Sequence, residues 1–270
     1  MLKNIALITL LVSGFSFAQK SETQKNKLLG NPTFVEESMQ KARIRMAQIS
    51  GYELEYYTKS TYNKDGNPTK REYFNEDGSR TFSESFAYND AGKMLSSELK
   101  SEDESLIFNF DYEYTEDGYV VVKSESDVNV QRNEYKLDDK QNVTYEKETN
   151  LLEDNVFIEK TNEYKNGFLV KTAVNYNNGA YTLEYKNDAN GNPIEENYLD
   201  KANKLVNKFV RKYDDKNNLT EEITIDATGK TKNTSKIMYQ YDNNKNWTKR
   251  TQYVSQIDQP ISNTTRTIRY

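Results

Sequence analysis

Apolar and polar residues alternate along most of this chain. Leu106, Phe108, Phe110, Tyr112 and Tyr114 take every second position, with Asn109, Asp111 and Glu113 between them. Side chains two apart share a face only in an extended chain, so the pattern predicts a strand with one apolar side. Tyr181, Leu183 and Tyr185 repeat it, as do Ile237, Tyr239 and Tyr241, and Leu219, Glu221, Ile223 and Ile225 come close. Strands that return through short turns make an antiparallel meander. The expectation is an all-β sheet of roughly 14–17 strands over residues 52–270, twisted or coiled on itself.

The turns are themselves a repeat. Tyr62-Asn63-Lys64-Asp65-Gly66 is echoed by Phe74-Asn75-Glu76-Asp77-Gly78, by Tyr88-Asn89-Asp90-Ala91-Gly92 and by Tyr114-Thr115-Glu116-Asp117-Gly118. Looser copies run on through Tyr164-Lys165-Asn166-Gly167 and Tyr185 to Tyr241-Asp242-Asn243-Asn244. Asn, Asp and Gly are the residues that enter left-handed turn conformations at low cost, so each copy reads as a hairpin turn.

The amino-terminal part departs from this rhythm. Lys3, the apolar run Ile5 to Val12 and the small residues before Ala18 read as a secretory signal peptide over 1–18, too short to span a bilayer. Residues 19–32 read as a polar tether. Thr33 and Glu36 stand at capping-box spacing, and Phe34, Val35, Met39, Ala42, Met46 and Ile49 follow at near-helical intervals before Gly51. One amphipathic helix is therefore expected over 33–51, either covering the open end of the sheet or docking a partner.

The Tyr-Asp/Asn-x-x-Gly-Asn pattern resembles the YD repeat of the RHS family of exported bacterial proteins, best at Tyr62 to Asn67, Tyr88 to Gly92, Asn190-Gly191-Asn192 and Tyr239 to Asp242. The resemblance spans most of residues 56–253. It implies a β-hairpin array that curls into a sheet, spiral or shell, of a kind that contacts surface glycans and proteins. Many units here lack the Gly-Asn pair, and no toxin-like domain follows the repeats.

Composition narrows the chemistry. The 270 residues include no His and no Cys, which removes thiolate zinc sites, His-based triads and disulfides. Paired carboxylates could hydrolyse glycosides, but nothing marks out two of the 42 acids, and Glu221-Glu222 on a strand would face opposite ways. Asn63 to Asn67 and Asn187 to Asn192 lack the closing Glu of an EF-hand and read as turns. No catalytic residue, metal or cofactor is expected, and the chain is read as a non-enzyme. A net charge of −5 argues against nucleic acid as partner.

Trp247, the single tryptophan, lies near Tyr239, Tyr241 and Tyr253, a set that could anchor a protein or stack on a glycan. A membrane-spanning barrel is disfavoured because strands such as Thr69-Lys70-Arg71-Glu72-Tyr73 carry charge on both faces. The expected role is a scaffold or accessory subunit that binds another cell-envelope protein, with a glycan-binding module as the alternative. The expected location is the periplasm, with the outer cell surface or medium second.

Overall fold

The computed structural model describes residues 21–46, 48–255 and 257–270. The signal peptide expected over 1–18 lies outside them. Eighteen strands make one antiparallel sheet, each paired with its successor. In chain order they are β1 (Phe34–Arg45), β2 (Gln48–Tyr62), β3 (Pro68–Phe74), β4 (Arg80–Tyr88), β5 (Met94–Ser101) and β6 (Ile107–Tyr114). Then come β7 (Gly118–Glu125), β8 (Val128–Leu137), β9 (Val143–Asn150), β10 (Asn155–Lys165), β11 (Phe168–Tyr176) and β12 (Gly179–Asn187). The last six are β13 (Pro193–Asp200), β14 (Leu205–Tyr213), β15 (Leu219–Asp226), β16 (Thr231–Tyr241), β17 (Trp247–Val254) and β18 (Ile257–Arg269).

The sheet does not stay open. β18 pairs with β1 from Phe34 opposite Arg269 to Lys41 opposite Ser262, so the meander closes into a barrel. All-β antiparallel architecture stands as expected; the twisted or coiled open sheet is corrected to a closed ring. An open array would leave two full rows of N–H and C=O groups unpaired, and closure satisfies both at one seam.

The amphipathic helix expected over 33–51 is also corrected: these residues form β1 and the start of β2. Val35, Glu37 and Met39 alternate with Glu36, Ser38 and Gln40, so the segment fits a strand as well as a helix. With partners waiting on both sides, long-range pairing overrides local helical spacing. Thr33, expected as a helix cap, instead donates its N–H to the Arg269 carbonyl. The only described helix is α1 (Glu22–Lys25), capped by a reciprocal Ser21–Gln24 box.

Register carries one face continuously round the ring. Ser60 faces Arg71, Arg71 faces Glu84 and Glu84 faces Leu99. Of these, Ser60, Glu84 and Leu99 are buried, as are Phe110, Asn133, Thr172, Ser235 and Thr264, and together they mark the inner face, where Arg71 is partly buried. A ring this wide exceeds what side chains can fill, whereas about eight strands would close on a solid core. The inner face is accordingly mixed. Leu99, Phe110, Tyr119, Val121 and Tyr135 pack into an apolar cluster on β5–β8, with Tyr119 and Tyr135 stacked at 4.5 Å. Elsewhere it holds ion pairs. The alternate face carries its own, including Lys208–Glu195 at 2.8 Å and Lys212–Glu221 at 2.7 Å.

Candidate binding surfaces

The repeat explains the tyrosines. In seven of the described turns an Asp or Asn accepts backbone N–H groups two and four residues on. Asp188 Oδ1, for example, accepts from Asn190 at 2.8 Å and Asn192 at 2.9 Å. Asn63, Asn89, Asp138, Asp200, Asp214 and Asp226 repeat the arrangement. Hydrogen bonds to the ionised form hold the Asp138, Asp188, Asp200 and Asp226 carboxyls below the usual range. The preceding aromatic braces the neighbouring strand. Tyr88, Tyr213 and Tyr239 donate their hydroxyls to the carbonyls of Pro68, Pro193 and Leu219, twenty residues back, at 2.9, 3.1 and 3.0 Å.

The two ends of the barrel differ. At the end carrying the β2–β3, β14–β15 and β16–β17 turns, residues 21–32 lie across the mouth. Thr23 donates its N–H to the Gly66 carbonyl, Lys27 Nζ reaches the Asn217 carbonyl at 3.0 Å, and Leu29 exchanges two bonds with the Asn246 amide. Ser21, Thr23 and Leu28 are buried there. The polar tether expected over 19–32 is thus, from Ser21 onward, a docked cap. Its anchor is Glu22, which pairs with Arg71 on the inner wall. Arg71 also stands 3.6 Å from Glu84, whose carboxyl is raised above the usual range by burial, with Arg71 opposing the shift.

Further ion pairs line the inner wall. Arg211 binds Glu222 at 2.7 Å and Glu196 at 2.9 Å, and Lys160 meets Glu146 at 3.1 Å. Arg266 pairs with Glu37, which accepts the Tyr56 hydroxyl at 2.5 Å. Burial, followed by the Glu37 charge, pushes the Tyr56 phenol well above its ordinary value. These carboxylates are committed to cations rather than poised as an acid–base pair. Among the described residues no cluster of acids has metal-binding geometry.

The structure brings together three of the four aromatics singled out by sequence. Tyr239 lies 6.1 Å from Tyr241 and edge-on to Trp247 at 6.2 Å. All three are engaged in the wall. Tyr241 donates to Asp214 at 2.5 Å, and the Arg266 guanidinium covers Trp247 at 3.4 Å from the ring centre. Tyr253 sits opposite Lys236, next to the pair of buried Ser235 with Val254, and so faces the other side of the sheet.

What sequence reasoning missed is the far rim, at the β1–β2, β7–β8, β9–β10, β11–β12 and β13–β14 turns. Eight of the twelve exposed large hydrophobics among the described residues stand there, so they form a surface rather than scattered exceptions. Val128, Leu152, Val156, Phe157, Tyr176 and Leu205 occupy a continuous arc in ring order, with Ile44 and Met46 about half a ring away. Isolated apolar residues in turn segments were the available signal. Ile44 and Met46 tip an arm: β1 pairs with β18 only as far as Lys41, and β3 pairs with β2 only from Thr58 to Tyr62. The β1–β2 hairpin therefore outruns β3, while β18 runs on beside it to Ile257 without ladder pairing past Lys41. Tyr52 steadies it by donating to the Pro260 carbonyl at 2.7 Å.

No protein-family model matches the chain, and no curated protein matches it. Among solved structures it is similar to a porin-like protein from Bacteroides uniformis, at 11% identity and TM-score 0.47 over 89% of this chain and 97% of that one. It is similar to the Tc holotoxin pore of Photorhabdus luminescens at 11% identity and TM-score 0.18, covering 89% of this chain but 16% of that one. A putative outer membrane lipoprotein-sorting protein domain from Vibrio parahaemolyticus follows at 12% identity and TM-score 0.23, over 91% and 88%. At these scores none of the three transfers a function. No described helix is long and apolar enough to cross a membrane.

Proposed function

We propose that this chain is a non-enzymatic exported repeat protein, related to the YD-repeat arrays, that acts as a scaffold or accessory subunit binding another cell-envelope protein. The observation that carries the reading is the asymmetry of the barrel. At one mouth the chain's own residues 21–32 dock on the β2–β3, β14–β15 and β16–β17 turns, while the opposite rim presents an apolar arc. An apolar surface interrupted by polar groups is the usual make-up of a protein-binding patch. Acids interleave the arc, Asp127 beside Val128 and Glu153-Asp154 beside Leu152, and these disfavour an anionic lipid surface. Charged pairs on the outer wall suit water rather than lipid, since Lys or Arg facing mid-bilayer costs about 2–4 kcal/mol each. The glycan alternative loses its platform, because Arg266 and Tyr239 occupy the surroundings of Trp247. The expected signal peptide supports export, with the periplasm as the first location and the outer cell surface or medium as the second.

A photo-crosslinking residue at Leu152 or Phe157, in a strain expressing the full chain, tests this. A single stoichiometric envelope adduct from both positions, absent when the crosslinker replaces Lys236 on the outer wall, is expected. Clean monomer from all three positions, with glycan binding lost in Trp247→Ala, would reverse it.

A further inference from the structure

The cap is tied to the inner wall by an ion pair that it does not have to itself. Glu22 on α1 pairs directly with Arg71 on β3 and accepts the Tyr62 hydroxyl at 3.5 Å. Arg71 also stands 3.6 Å from Glu84 on β4, within ion-pair reach but beyond a hydrogen bond, and its Nε donates to Ser60 at 3.2 Å. Glu84 is only 3% exposed, and its Oε2 accepts the Tyr73 hydroxyl at 3.2 Å. The other groups that act on Glu84 among the described residues are Ser97 on β5, Tyr112 on β6 and Tyr88 on its own strand. Glu22 in turn faces Tyr88 and Lys25 of its own helix.

Two carboxylates thus share one guanidinium, with the second of them shut away from water. The surplus negative charge is relieved either by a proton on Glu84 or by departure of Glu22. Glu84 cannot leave, because β4 is laddered on both sides, whereas Glu22 sits on a four-residue helix outside the ladder. A seated cap therefore raises the proton affinity of Glu84, and by linkage a proton on Glu84 favours the seated cap by the same factor. We propose that Glu22, Arg71 and Glu84 form a pH-operated latch, in which the cap is firmly seated while Glu84 holds a proton and loosens when Glu84 ionises and draws Arg71 to itself. Burial raises the Glu84 carboxyl above the usual range, Arg71 and the Tyr73 hydroxyl oppose that shift, and the Glu22 charge adds to it. The Glu84 contribution to seating is therefore present in acid and lost as pH rises through its folded value. Lifting the cap uncovers Val35 and Tyr62, against which Leu28 packs.

Amide exchange of the full chain between about pH 5 and about pH 8, corrected for intrinsic rates, reads the latch directly. Protection at Thr23, Leu28 and Leu29 is expected to fall about fivefold or more over that range, with Val121 in the wall unchanged as the internal reference. Glu84→Gln, a neutral stand-in for the protonated acid, should hold the cap at its acid level of protection throughout. Glu22→Gln should lower protection in acid and leave it flat with pH, and it changes no residue of the wall. Protection in the wild-type chain that is flat or rises with pH would overturn the latch. So would a decline that survives in Glu84→Gln, or in Glu22→Gln should the buried substitution fail to fold. The latch lies at the opposite mouth from the apolar arc, so it stands or falls independently of the Leu152 adduct.

Discussion

The cap docked at one mouth can be separated from ordinary turn strain by comparing two glycines. Gly66 and Gly78 both sit in repeat turns with positive φ, at +78° and +83°. Alanine at either position meets the same backbone penalty of about 1–2 kcal/mol in the left-handed region. Their surroundings differ. A Cβ on Gly78 meets open space, whereas one on Gly66 would lie 2.0 Å from Thr23 Oγ1 and 2.7 Å from Ser21 Oγ. Gly66→Ala must therefore push the cap off the β2–β3 turn. The Thr23 N–H to Gly66 carbonyl bond at 3.1 Å is lost with it, worth about 0.5–1.5 kcal/mol. Leu28, buried in a cluster with Val35 and Tyr62, loses part of the 1.5–3 kcal/mol or so that full burial contributes. Some of this returns as freedom of the released segment. The excess of Gly66→Ala over Gly78→Ala is then about 2 kcal/mol, or about 4–8 °C in Tm for a chain of this size. Thermal melts of both variants give the difference, and amide exchange across residues 21–32 shows where it arises. Equal melting points with unchanged exchange at Thr23 and Leu28 would refute a seated cap.

Other consequences follow from the turns and the inner wall. Tyr88→Phe and Tyr239→Phe each orphan a strand carbonyl and should cost about 1–2 kcal/mol in denaturant melts, while Tyr253→Phe on the outer wall stays within about 0.5 kcal/mol. The turn aspartates, held below their ordinary values, contribute stability that is complete above the unfolded aspartate range and is lost as pH falls through their folded values. Acid unfolding should therefore extend below the ordinary aspartate value of 3.8, as these turn carboxyls take up protons. Glu84 and Glu148, raised by burial, act with the opposite sign: their contribution is present in acid and lost as pH rises through their folded values. Replacing Asp138, Asp188 and Asp226 by Asn, which already serves at Asn63 and Asn89, should flatten the acid limb in a circular-dichroism titration. Arg266→Met should shift Trp247 emission and cost about 2–4 kcal/mol, because Glu37 is left half-sequestered without its cation.

Much of the fold was legible in the chain because the repeat writes its turn chemistry locally. Asp or Asn opens most of these turns and a residue with positive φ stands fourth, usually Gly or Asn but Gln141 and Lys245 in two of them, and alternation between turns fixes which side chains share a face. Closure was not legible, because it depends on residues 34–41 meeting 262–269, more than 220 positions away. The same long-range pairing explains the missed strand. Met39, Ala42 and Met46 carry helical spacing, and nothing local reveals that two neighbours require an extended partner there. The aromatic set was legible in the sequence, but its bonds were not: Tyr239 and Tyr241 give their hydroxyls to the Leu219 carbonyl and to Asp214, partners some twenty to twenty-seven residues back. The inner-wall arginines could not be told from the outer-wall lysines, since both alternate with the same period.

That interchangeability bears on where function resides. Only 35% of the residues are hydrophobic, so the wall depends on many small contributions repeated round the ring. They are an Asx-bonded turn, a tyrosine brace and a paired cation, each on the order of 1 kcal/mol. In such a wall any one unit resembles the next, and a site that distinguishes partners must lie where the repeat is broken. The structure breaks it at three places: the cap over one mouth, the apolar arc on the opposite rim, and the arm that outruns β3. The cap satisfies groups of the same chain and is used up in doing so. The apolar side chains of the arc and of the arm's tip are not used in this way. Both stand at the same end, with apolar side chains in water and backbone groups unpaired, which is where a regular barrel becomes a particular one.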